Sequence, residues 1–308
     1  MPETTDNVIE LTDIRKSFGK VKAVDGLSLS VPAGTVYGFI GPNGSGKTTT
    51  IRMIMNIYRP DSGSISVLGN HDLDVSTQNI GYLPEERGLY KKMKVRDVLK
   101  FYGELRNGGN VAGEVDHWLE RFDLADWANK KVEALSKGMA QKVQFIASVV
   151  PRPELLILDE PFTGLDPVNT DVLRNAILGL QEEGTTVIFS THDMSVAERM
   201  CDFILMIYKG KKVLDGSLAS IKEEYGRDTL RVRCEGGAKS LDGLDGVEKV
   251  NDFGRVQELR IAKDADPQAI LAEIMRRTSI ESFEISTPSL HDIFVRIAGP
   301  EAVNHELP

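Results

Sequence analysis

The chain has 308 residues, a formal net charge of −9 and 41% hydrophobic residues. That length carries one large domain and one small one, and the apolar share supports a sizeable core rather than bulk disorder. The negative balance argues against a general electrostatic grip on nucleic acid, and none is expected as a partner. The two cysteines, Cys201 and Cys234, lack metal spacing and read as free thiols in a reducing compartment.

The opening MPETTDNVIELTD lacks the basic-then-apolar pattern of a signal segment. VIELTDI and KAVDGLSLSV then predict antiparallel strands, and SISVLG a further one. Three apolar runs read instead as buried parallel strands: VYGFI (36–40), LLILD (155–159) and TVIFS (186–190), each followed by a turn and helical sequence. From Pro84 to Pro151 the pattern is nearly all helical, which predicts a helical insert beside the sheet. YKG (208–210) turns a hairpin between FILMIY and KKVLDG. Runs such as LLIL and FILMIY are far shorter than the roughly 20 residues that span a bilayer. The chain is therefore expected to be soluble, reaching any membrane through a partner.

After EEYGRD (223–228) the texture changes. TLRVRC, VEKVND and RVQELRIA predict strands, PQAILAEIMRRT a helix, ESFEIS a strand and SLHDIFVRIAG a last helix. That order fits a small α+β sandwich of the split βαβ type, and the tail EAVNHELP is expected to fray. The expected organisation is a domain at 6–225, with a helical subdomain at about 84–150, and a small α+β domain at 228–300.

The stretch GFIGPNGSGKTTTIRMIMNI follows the first buried strand. Gly41, Gly44 and Gly46 permit the tight backbone that wraps N–H groups around phosphate oxygens. Lys47 supplies a point charge to the terminal phosphates, and the Thr48 hydroxyl can ligate Mg²⁺. With Pro42, Asn43, Ser45 and Thr49 these residues form the candidate phosphate-binding set. A glycine-rich turn with an incidental lysine is the bland alternative, and the GKT spacing after an apolar strand favours nucleotide binding.

LLILDEP ends the second buried strand where ligands bind in a parallel sheet. Asp159 is placed to hold the Mg²⁺ shell, and Glu160 could polarise an attacking water. With no acceptor site in view, that predicts hydrolysis. His192, in TVIFSTHD, closes the third strand toward the same crevice, although lone histidines are more often structural. A second anion site is offered by LSKGMAQKVQFIASVVPR (135–152), where a Ser-Lys-Gly turn opens a helix whose free N–H groups favour negative charge.

The order GPNGSGKT, LSKGM, LLILDEP, GLDP and STHD, over about residues 6 to 225, resembles the nucleotide-binding subunit of an ABC transporter. The resemblance implies an α/β P-loop fold with a mixed central sheet, an antiparallel β subdomain and a helical insert. It implies ATP and Mg²⁺ as cofactors and a Mg-dependent ATPase with Glu160, His192 and Lys47 as catalytic residues and Thr48, Glu85 and Asp159 at the metal. It also implies a head-to-tail pair with a second ATP-binding subunit, a homodimer, in which Ser136 and Gly138 reach the γ-phosphate held by the other chain. Ser136 as a plain helix N-cap is compatible with that role. An integral membrane permease would be the further partner, with this chain peripheral on the cytoplasmic face of the membrane.

Phe18, in KSFGK, matches the aromatic that stacks on adenine, with core packing as its alternative. Asp166, in GLDP, matches the loop that crosses the dimer seam. Two positions depart from the family pattern: Glu85 stands where a glutamine is usual, and Lys137-Gly138-Met139 replaces Gly-Gly-Gln. The added negative and positive charges are expected to offset each other across the interface, unless Lys137 is simply solvated. LPEERGLY, LSKGM and the ending PSLHDIFVRIAG are similar to a bacterial subgroup that includes sodium-exporter-like ATPases, which points to export. The rivals are a soluble ABC ATPase acting on nucleic acid or ribosomes, and a P-loop kinase. The small C-terminal domain reads as a dimer contact or a ligand-binding module.

Overall fold

Two long strands with period-two burial open the structure. β1 (Asn7–Phe18) and β2 (Val21–Pro32) bury Ile9, Leu11 and Ile14 on one and Val24, Leu27, Leu29 and Val31 on the other. A register shift around Asp13, whose φ is +45°, lets Ile14 rejoin the buried face. They pair antiparallel, and β4 (Ser62–Val67) lies along the other side of β1, giving the order β2-β1-β4. The computed structural model describes residues 7–73, 79–86, 88–107, 109–226, 228–262 and 264–299. The tail EAVNHELP lies outside them.

Every residue of β3 (Val36–Ile40), β6 (Leu155–Asp159) and β7 (Thr186–Thr191) is buried, as parallel strands covered on both faces must be. With β5 (Ile80–Leu83), β8 (Phe203–Tyr208) and β9 (Lys211–Ser217) they form a sheet ordered β5-β6-β7-β3-β8-β9. The β5–β6, β6–β7, β7–β3 and β3–β8 pairs are all parallel, so the carboxyl ends of β3, β6 and β7 share one edge. α1 (Lys47–Ile54) follows β3. Lys209 and Gly210 both take positive φ, the requirement of a tight two-residue hairpin turn between β8 and β9.

The insert expected from Pro84 follows a short strand and a connecting loop. Ile80–Leu83 is an edge strand too short to stand out as an apolar run, and regular helix begins only with α2 (Val95–Asn107). α3 (Ala112–Arg121) and α4 (Lys137–Val149) follow, separated by 3₁₀ turns at Ala125–Trp127 and Val132–Ala134. The rings of Trp118, Phe122 and Phe145 meet at centroid distances of 5.6 to 6.0 Å and form the core of the insert. α5 (Pro167–Glu182) is capped by the Asp166 carboxylate and has Pro167 at its first turn. α6 (Met194–Met200) follows β7, capped by Asp193.

Contacts divide the chain into two compact units, Met1–Gly216 and Ser217–Pro308. By this division α7 (Leu218–Glu224), capped by Ser217, goes with the second unit, although the sequence reading runs the first domain on to 225. The second unit contains β10 (Thr229–Cys234), β11 (Val247–Asp252), β12 (Gln257–Ile261) and β13 (Ile280–Ser286). Their order, β11-β12-β10-β13, is antiparallel throughout and is that of a split βαβ sheet. A 3₁₀ turn at Gly237–Leu241 stands where such a fold has its first helix. α8 (Pro267–Arg277) buries Ile270 and Ile274 into a core with Leu230, Val232, Leu259 and Ile261. α9 (Leu290–Ala298) begins at a Ser289–Asp292 capping box.

Candidate active site

The loop between β3 and α1 takes positive φ at Gly41 (+147°), Gly44 (+74°) and Gly46 (+115°). A Cβ on Gly41 would lie 2.2 Å from the Ile207 carbonyl, and one on Gly46 would lie 2.4 Å from that of Ala23. Neither position admits a side chain. The loop opens onto a cavity of about 550 Å³ lined by Asn43 to Thr49, Glu85 and Glu160. A larger cleft of about 900 Å³ lies at the opposite ends of β6 and β7, with Glu114, Trp118 and Arg152 in its wall. Glu114 there is already bound by Trp118 Nε1 and by Arg152. The smaller cavity is lined by Lys47, Thr48 and Glu160, with His192 bonded to Glu160 and Asp159 to Thr48.

Lys47 is 5% exposed, and its ammonium donates to the carbonyls of Gly41 (2.7 Å) and Pro42 (3.2 Å) and lies 3.7 Å from Glu160 Oε1. Burial pulls its pKa below the usual lysine value, while Glu160 and then Asp159 act in the opposite sense. His192 Nδ1 is 3.1 and 3.0 Å from the two Glu160 oxygens. An ionised carboxylate only accepts, so Nδ1 carries the proton. Glu160 itself sits at φ +50°, a left-handed backbone that turns its side chain back over the cradle.

Thr48 Oγ1 donates to Asp159 Oδ1 over 3.2 Å. Asp159 is fully buried, and its Oδ2 has no hydrogen-bond partner among the described residues, as is also true of Ser45 Oγ. A buried carboxylate oxygen left without a donor, beside a hydroxyl, suits a hard cation that prefers oxygen ligands.

The remaining predicted residues separate into two places. Asn43, Gly44, Ser45, Gly46, Thr49 and Glu85 line the cavity. Ser136 and Gly138 do not: Ser136 caps α4, accepting the Met139 N–H at 3.2 Å, and a Cβ on Gly138 would meet only Leu165, at 3.7 Å. Lys137 is exposed and makes no ion pair among the described residues. Phe18 is 46% exposed, edge-on to Tyr58 at 5.3 Å, which removes core packing as its role. α4 is tied to both loops of the site: Gln141 donates to the Pro161 carbonyl, and Gln144 to those of Pro84 and Glu86, either side of Glu85.

Lining residues that the sequence pattern does not reveal are Val21, Lys22, Ala23 and Lys209. The turn bearing Lys209 is fastened to the loop by Gly210 N–H on the Ser45 carbonyl, 2.9 Å, and to β2 by Asp25 N–H on the Gly210 carbonyl, 2.8 Å. The only local signal for it is the tight Lys-Gly turn.

A family model described as ABC transporter matches residues 24–163. A second, described as the C-terminal domain of DrrA1-3-like ATP-binding proteins, matches residues 216–298. Over 294 residues, 95% of this chain and 99% of the relative, it is 42% identical to an uncharacterised ABC transporter ATP-binding protein of Bacillus subtilis. The chain belongs to the ABC transporter ATP-binding proteins. As a member of that family this ABC ATPase binds and hydrolyses ATP. It is also similar to a Nod factor export ATP-binding protein of Burkholderia lata, 32% identical over 95% of this chain and 97% of that one. A solved ATP-binding subunit of an ABC transporter superposes with a TM-score of 0.67 at 27% identity, covering 71% of this ABC ATPase and 93% of that structure. Among the described residues no helix is long and apolar enough to cross a membrane.

Proposed function

We infer that this ABC ATPase works as half of a head-to-tail pair on the cytoplasmic face of a membrane, driving export through a separate integral membrane permease. The observation that carries the reading is the meeting of Lys47, Glu160 and His192 at the mouth of the glycine loop. In hydrolysis, a water oxygen bonds to the γ-phosphorus while the bond to the β–γ bridging oxygen breaks, giving ADP and phosphate. Glu160 accepts the water's proton, and the His192 Nδ1–H holds its carboxylate in place. Lys47 and the N–H groups of the loop and of the first turn of α1 balance the phosphate charge. Thr48, Asp159 and Glu85 fit Mg²⁺, which would add positive charge on the phosphate oxygens.

Ser136 and Gly138 lie outside their own chain's cavity, which supports their serving a second copy. The segment around Glu85 to Met93, held by Gln144, supports a role in passing closure to the permease. Export as the direction is supported by the Nod factor relative. Complementation tests the shared site. Lys47→Ala and Gly138→Asp chains should each be inactive alone. Mixed in equal amounts they should recover about a quarter of wild-type turnover, because half the dimers pair one intact cradle with one intact Ser-Lys-Gly turn. Full activity of Gly138→Asp alone, or no recovery in the mixture, would refute the shared site.

A further inference from the structure

Between the metal-binding and the water-activating carboxylates stands a hydroxyl to which no role has been assigned. Ser190 lies on β7, and the parallel register sets it directly beside Asp159 on β6. It is fully buried. Its Oγ–H donates to Asp159 Oδ1 over 2.5 Å, and its Oγ accepts the backbone N–H of Glu160 over 3.0 Å. One hydroxyl thus uses its donor on one carboxylate and its acceptor on the backbone of the next.

Two consequences follow from where these bonds fall. Asp159 Oδ1 already receives Thr48 at 3.2 Å, so with Ser190 it has two donors, while Oδ2 has none among the described residues. The carboxylate plane is fixed with one oxygen satisfied and the other presented. Glu160 is held at φ +50°, a conformation unfavourable for any residue bearing a Cβ, and its N–H has Ser190 as acceptor in a place that water does not reach. Without that acceptor, the backbone has reason to relax toward negative φ, which would swing the side chain off Lys47 and His192.

We propose that Ser190 is the positioning residue of this ATPase, setting which Asp159 oxygen faces the cation and holding Glu160 in the backbone conformation that aims its carboxylate. This rests on the roles of Asp159 and Glu160 given above. Ser190 is fully buried and does not line the cavity; it acts through its two neighbours.

The test uses the purified full-length chain carrying Ser190→Ala or Ser190→Thr. Four quantities are measured: turnover, ATP affinity in the presence of a chelator, Mn²⁺ retention with ATP by electron paramagnetic resonance, and thermal melting. Ser190→Ala should lower kcat by about 10- to 100-fold and weaken Mn²⁺ retention several-fold, the usual cost of removing a group that orients a metal ligand. Chelator-condition ATP affinity should stay within about twofold, since the glycine loop is untouched. Ser190→Thr keeps the hydroxyl and should restore most of both losses. Unchanged kcat and Mn²⁺ retention in Ser190→Ala would overturn the proposal. So would a Ser190→Thr protein that melts normally yet is as impaired as the alanine variant, or a parallel fall in affinity, kcat and melting temperature. A Glu160→Gln control separates the levels: an active control sinks the underlying reading, while a dead control beside a fully active Ser190→Ala sinks the assignment of Ser190 alone.

Discussion

Replacing Glu160 by glutamine changes two things at once, and the structure predicts both. The shape is kept and the N–H bond to Ser190 survives, but the proton acceptor for the attacking water is gone. General-base catalysis contributes about 10²- to 10⁴-fold, so turnover should fall to about 1% or less of wild type. The second effect concerns Lys47, whose buried ammonium loses its nearest carboxylate at 3.7 Å. At an effective dielectric of 20 that attraction is about 4 kcal/mol, an upper figure for a pair that is 5% and 9% exposed. Part is offset because a buried carboxylate no longer has to be desolvated, and the Asp159 charge remains. A net loss of about 1–2 kcal/mol lowers the melting point by about 2–8 °C for a unit of this size. ATP returns a counter-charge to Lys47, so the variant should gain more melting temperature from ATP than the wild type does. Phosphate release and differential scanning fluorimetry, each with and without ATP, measure the two effects. Turnover above a tenth of wild type would refute Glu160 as the base. An unchanged melting point would refute the electrostatic argument.

Burial already holds the Lys47 pKa down, and phosphate should push it back up. ATP binding above that lowered pKa therefore takes up a proton, and affinity should fall with rising alkaline pH, by up to about tenfold per pH unit. Titrations across that range should show the fall in wild type and a flat profile in Lys47→Arg, which stays charged. Lys209→Ala should weaken ATP and ADP alike by about three- to tenfold with kcat unchanged, since its turn is bonded to Ser45 and follows β8, on the other side of β3 from β6, the strand that Glu160 follows. An ATP-only effect in equilibrium titration would contradict that placement. Glu85→Gln and Lys137→Gly, taken singly and together, should show coupled rather than additive effects on ATP turnover if their charges meet across the pair.

What the sequence made legible was whatever is local in the chain. The glycine loop announces itself because the positive φ at Gly41, Gly44 and Gly46 demands glycine within six residues, followed at once by Lys47. The three buried strands announce themselves as unbroken apolar runs, and the turn after Tyr208 by its Lys-Gly pair. Ile80–Leu83 escaped notice because four residues before a proline carry too little pattern, though they form an edge of the same sheet. Lys209 escaped because its link to Ser45 is a contact between distant parts of the chain that exists only once β8 lies beside β3. Ser190 lay in plain sight within STHD, but what its hydroxyl does depends on the β6–β7 register, which no short window of sequence contains.

The same contacts suggest why binding and arming of the site are one event. Lys47 is held by the carbonyls of Gly41 and Pro42 and faces Glu160, so three acceptors converge on one ammonium. An entering phosphate carries more negative charge than any of them and competes for that cation. As Lys47 turns to the phosphate, the Glu160 carboxylate loses an ion-pair partner while keeping its hydrogen bond to His192. Only a ligand that reaches Lys47 competes with Glu160 for its ammonium, which ties release of that carboxylate to occupancy of the loop.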